Sequence, residues 1–150
     1  MADASRTLDV LQELIETCRD GETGYAHAAG MAADPELKAY FTEQSQKRHR
    51  ILGELQQLAQ HSGEPRPDTS GSVAGTLHRA WFEAKVDIGL GDQAVLNSVE
   101  RGEDAAKRAY EKALSSDLLE PVRMVIEQQA ESVLDAHDHV RDLRDSGKAA

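Results

Sequence analysis

The chain holds one cysteine, Cys18, in 150 residues, so it has no internal disulfide and no multi-cysteine metal knot. It is also short of cationic residues, with 17 Lys and Arg against 27 Asp and Glu, a net charge of −10. Clustered basic residues are what nucleic acid and anionic membranes require, so neither is expected as a partner. No apolar run approaches the roughly 20 residues needed to cross a bilayer, which predicts no membrane association. The opening MADASRTLDV has neither a basic n-region nor an apolar h-region and reads as cytoplasmic. Also missing are a Ser, His and acid constellation, a Walker loop, a dinucleotide fingerprint and a phosphate-cradling glycine run. The sequence therefore nominates no catalytic residue and leans away from an enzyme.

What is present is helical periodicity from end to end, with apolar residues recurring at steps of three and four and never alternating for long as strands do. The first helix is expected from Ser5 or Thr7 as N-cap to about Ala32, its seam running Leu8, Leu11, Ile15, Cys18, Glu22, Tyr25, Ala29. Asp34-Pro35 opens a second helix to about His61, with Leu37, Phe41, Gln44, Arg48, Ile51, Leu55 and Leu58 on its seam. The stretch SGEPRPDTSG, about residues 62–71, with two prolines and two glycines, is the clearest loop. An amphipathic helix then covers Val73 to about Ile88 and ends at GLGD, where Asp92 is expected to cap a helix to about Ser115. A last helix from near Leu119 carries Val122, Ile126, Gln129, Val133, Ala136, Val140 and Leu143 on its seam. A frayed tail is expected at about residues 145–150. One domain, 1–150, accommodates all of this.

Two Gly-Glu pairs fall inside helices with the glutamate on the seam, Gly21-Glu22 and Gly102-Glu103. A carboxylate at a core position is costly unless paired, protonated or bound to metal, and an interior glycine costs about 1 kcal/mol relative to alanine. Taken as antiparallel rods, the four long helices put Glu22, Gln44, Arg48, Glu103 and Gln129 at similar heights, which predicts a buried polar layer. The bundle's second and third helices are joined by about 30 residues at roughly 1.5 Å per helical residue. That length allows a long crossover with its own helix outside the bundle, where Leu77 and Trp81 make a candidate interface with the bundle flank or a partner subunit.

The blocks DGETGY at Asp20 to Tyr25, DPELK at Asp34 to Lys38, LHRAW at Leu77 to Trp81 and RGEDAA at Arg101 to Ala106 follow one another in order. With them the chain, from about Leu8 to Leu143, resembles the bacterial ferritin-like four-helix-bundle family catalogued as domain of unknown function 2383. The resemblance implies an all-α fold, a ferritin-like four-helix bundle with an extra helix in the long crossover between bundle helices two and three. It implies no activity, although the fold's neighbours suggest a stress-related or oligomeric protein.

Di-iron and di-manganese bundles use a glutamate from each of two helices and a Glu-x-x-His from each of the other two. Glu22 and Glu103 match the first requirement; no Glu-x-x-His exists here. Arg48 on the second seam would repel a divalent cation and pair with a carboxylate. Three readings stay open: a Glu22, Arg48, Glu103 and glutamine cluster that sets helix register; a diverged iron or manganese site built from Glu22, Glu103 and His137; or one or both glutamates at the seam's edge in solvent. The leading expectation is a non-enzymatic bundle with no cofactor, and the alternative is a metal-binding oxidase or iron-handling protein. A homo-oligomer is compatible with either, and no small-molecule substrate is identified.

Overall fold

The computed structural model describes residues 4–61 and 91–146. The expected loop, the crossover helix with Leu77 and Trp81, and residues 147–150 of the expected tail lie outside the described residues. Those described are helical throughout apart from short connections: α1 (Ala4–Met31), α2 (Pro35–His61), α3 (Asp92–Leu114) and α4 (Glu120–Ser146). None of these helices is long and apolar enough to cross a membrane. The last helix runs on to Ser146, about as far as the apolar seam can be followed.

Pairings between helices give their directions. Thr7 meets Leu119, Cys18 meets Tyr110 and Tyr25 meets Glu103, so α1 and α3 are antiparallel. Lys38 meets Ala29 and Ser45 meets Glu22, so α1 and α2 are antiparallel too. Tyr110 with Gln129 and Glu100 with Arg144 make α3 and α4 antiparallel. Helices α2 and α3 therefore run the same way, and His61 and Asp92 stand at opposite ends of the bundle. α1 packs extensively on α2 and α3, and α3 on α4, whereas α2 and α4 touch sparsely.

Each helix end has a traceable reason. Asp34 accepts the Glu36 N–H at 2.9 Å and opens α2 ahead of Pro35, which needs no donor at the first helical position. Lys38 Nζ donates to the Ala29 carbonyl at 2.8 Å, satisfying an orphan acceptor of the last turn of α1 with a cation. Arg123 does the same for α3 through the carbonyls of Leu114 and Ser116. Two sequence expectations change here. Thr7 is not a cap but is buried within α1, its hydroxyl accepting the Leu119 N–H at 3.3 Å and pinning the α3–α4 turn. Asp92 does not cap its own helix; Gly91, at φ 90°, takes the N-cap position, and the Asp92 carboxylate accepts the Ala33 and Asp34 N–H groups at 2.8 and 2.9 Å. The positive φ is what glycine permits, and it turns Asp92 toward the α1–α2 corner.

The core consists of two apolar clusters. One gathers Leu11, Leu14, Ile15, Leu55, Val122 and Ile126 near the α3–α4 turn. The other gathers Phe41, Leu96, Val99, Val140 and the alanines of the α1 C-terminal half around Tyr25.

Because one carboxylate holds two otherwise orphaned amides, Asp92→Ala should lower stability by about 1 kcal/mol, up to about 2. Denaturant unfolding measures this, and hydrogen exchange should accelerate at Ala33 and Asp34 while that of α4 amides keeps pace with global stability.

A buried arginine–glutamate–tyrosine cluster as the candidate functional site

Between the two apolar clusters lies a polar layer. Arg48, from the middle of α2, is 2 % exposed and Glu103, from α3, is fully buried. Nη2 of Arg48 donates to both oxygens of Glu103, at 2.5 and 2.6 Å. Tyr25 Oη, from α1, donates to Glu103 Oε2 at 2.7 Å, and its ring lies 5.5 Å from the guanidinium carbon. Three helices thus converge on one carboxylate, and a cation over an aromatic face adds attraction where water is excluded.

Gly21 makes room for this arrangement. A Cβ at position 21 would stand 2.7 Å from Arg48 Nη1, a nitrogen that is buried without a hydrogen-bond partner. Its neighbour Nη2 is held by Glu103, so the guanidinium is not free to swing away. The glycine's propensity cost of about 1 kcal/mol is thus tied to admitting a planar cation against the α1 backbone.

Electrostatics follow from burial and these partners. Burial opposes the Arg48 charge, but the Glu103 carboxylate outweighs it and holds the guanidinium above its ordinary value. Burial and the Glu103 charge keep the Tyr25 hydroxyl well above its usual range, so it remains a donor. A second chain of bonds lies beside the cluster. Tyr110 Oη donates to Gln129 Oε1 at 2.9 Å, and Gln129 Nε2 donates to Glu54 Oε1 at 3.0 Å. Since a phenol has one proton, the 3.3 Å contact between Cys18 and Tyr110 has the thiol as donor. Burial pushes the Cys18 thiol up to about 11, which makes it a poor nucleophile.

Of the residues expected in the layer, Gln44, Arg48, Glu103 and Gln129 are buried. Glu22 is not among them. Its side chain is 32 % exposed, and it meets His49 on α2 at 3.1 Å. At about 100° per residue Glu22 sits roughly 60° around α1 from Tyr25, so when Tyr25 faces Glu103, Glu22 is turned toward the α2 flank. The sequence pattern placed both on one seam; contact with α3 selects Tyr25. His137 is buried on α4, with Nε2 2.6 Å from Asp104 and Nδ1 3.1 Å from Asp138. Glu22, Glu103 and His137 therefore have three separate sets of partners and do not form a shared ligand set. Among the described residues no group of three or more His, Cys, Asp and Glu is placed to hold a metal ion. Both Glu103 oxygens already accept bonds from protonated groups. Tyr25 stood on the α1 seam, but a helical period gives only the face a residue lies on, so the bonds made by the Tyr25 and Tyr110 hydroxyls were not assigned by it.

Among the described residues, fold and site together define an all-α bundle of four helices with a buried ion pair at its centre. The chain belongs to the family described as Domain of unknown function (DUF2383), whose model matches residues 6–116. That span takes in Tyr25, Arg48 and Glu103 and ends at the α3–α4 turn. No curated protein matches the chain.

Removing Arg48 leaves a buried, uncompensated carboxylate, so Arg48→Ala should cost about 3–5 kcal/mol in denaturant unfolding. The triple variant Arg48→Met, Glu103→Leu, Tyr25→Phe removes the polar groups together and should recover most of that loss. A cost below about 1 kcal/mol for Arg48→Ala would show that the pair contributes little.

His137 carries a pH dependence. Burial opposes charge on its ring, but hydrogen bonds to Asp138 and Asp104 outweigh it, so His137 titrates above its ordinary value. A raised folded-state pKa gives stability that is complete below the unfolded value of about 6.5 and is lost as pH rises through the folded value. Relative to wild type, His137→Gln should therefore be most destabilised near about pH 5.5, with the gap narrowing above the folded pKa. Paired melts across pH measure this.

Proposed function

We propose that this chain is a non-enzymatic ferritin-like bundle in which an arginine takes the place a metal holds in the carboxylate-rich bundles of that architecture. The observation that carries this reading is the occupancy of Glu103: Arg48 bonds both of its oxygens and Tyr25 bonds one. A guanidinium supplies to a buried carboxylate the positive charge that an ion would otherwise provide, at fixed geometry and without exchange. The helix directions support the ferritin-like architecture, since α2 and α3 run parallel and a ferritin-like bundle needs one long crossover there. The helix expected for that crossover falls on residues outside those described.

The cluster's role on this reading is specificity. Its partners come from α1, α2 and α3, and sliding any of these helices by one residue would break the bonds from Arg48 Nη2 to Glu103 or leave the Tyr25 hydroxyl buried without a partner. Buried polar groups fix register in this way in helical assemblies.

Metal analysis tests the proposal. Protein purified without chelator and titrated with iron(II) and manganese(II) should bind no stoichiometric ion, and Glu103→Ala should not change that. About one or two ions per chain, lost in Glu103→Ala, would overturn it and favour an iron-handling or oxidase role.

A further inference from the structure

Most of the apolar surface of α4 faces the core, but not all of it. Met124 and Leu134 are the exposed large apolar side chains of the described residues, 58 and 41 % exposed, and both belong to α4. Leu134 borders a surface groove between α3 and α4 whose floor includes Leu114 and Ala130. The groove's rim is charged, with Glu111 on α3 and Glu127 and Glu131 on α4 against the single cation Lys107.

The order along α4 is informative. Met124, Glu127, Glu131 and Leu134 step by three, four and three, so they share one face of the helix. Glu127 and Glu131 are a like-charge pair at i and i+4, an arrangement that destabilises a helix on its own. The face thus presents an apolar side chain at each end and a pair of carboxylates between them. A second copy of this chain would set acid against acid, in a protein already carrying a net charge of −10.

We infer that the α3–α4 groove is a docking surface for a basic amphipathic helix of a partner protein, with leucine-like side chains reaching Leu134 and Met124 and lysine or arginine lying between Glu127 and Glu131. Helix-in-groove recognition needs an apolar floor for anchors at helical spacing and a rim of opposite charge, and both are present. The site is separate from the buried Arg48–Glu103 pair, so it stands or falls without the metal-free reading of the core.

The test uses the full chain and two fluorescein-labelled helices, one built of leucine and lysine and one of leucine and glutamate, followed by anisotropy at physiological ionic strength. The leucine–lysine helix should bind and the leucine–glutamate helix should not. Leu134→Asp should weaken binding by about tenfold or more, and Glu127→Lys with Glu131→Lys should abolish it, while circular dichroism stays helical. Binding that Leu134→Asp leaves unchanged would mean diffuse charge attraction and would overturn the proposal. So would a concentration-dependent dimer by sedimentation that Leu134→Asp dissolves, which assigns the face to a second copy. Absence of binding by wild type, with Leu134→Asp lowering the melting temperature, would place another part of this chain on the groove and would also overturn it.

Discussion

A carboxylate taken into the middle of a helical bundle must find its counter-charge there, and here it finds it in Arg48. The cost of stripping water from both ions is large, and only good geometry and further hydrogen bonds offset it. Bonds from one guanidinium nitrogen to both Glu103 oxygens and the Tyr25 hydroxyl on one of them supply that geometry. Gly21 follows from it, because a side chain at that position would meet the guanidinium. The separation of the apolar core into two clusters reflects it as well, since the layer occupies the space between them.

The same constraint bears on chemistry. Both oxygens of the buried glutamate already accept bonds from an arginine and a tyrosine, and the nearby thiol is pushed up to about 11 by burial. The described surface is not uniform: its exposed large apolar side chains are on one helix, α4, where they flank an acidic pair.

Much of the architecture is legible in the sequence. The Asp34-Pro35 signal places the start of α2, the Gly91-Asp92 punctuation places α3, and most apolar seam residues of α1, α2 and α4 appear in the two clusters. Arg48, Glu103, Gln44 and Gln129 were visible as polar residues on apolar seams, because a helical period assigns each residue a face regardless of its neighbours. Glu22 shows where that reasoning stops. It shares α1's broad apolar stripe with Tyr25, yet rotation by a fraction of a turn sends one to the core and the other to the α2 flank, where it meets His49. Asp92 and Thr7 fail in the same manner, since each uses its side chain for a distant backbone group that no local pattern names.

The sequence by itself determined that the chain is helical, acidic and built around polar residues at core positions, because composition and periodicity depend only on residue order and the 3.6-residue turn. Only the tertiary structure decided which polar groups pair. Helix rotation and the approach of α1 to α3 are set by packing across elements more than 70 residues apart, as in the bond from Tyr25 to Glu103 with its separation of 78. A one-dimensional pattern carries no information about that angle, and it is the angle that made Tyr25, not Glu22, the third member of the cluster.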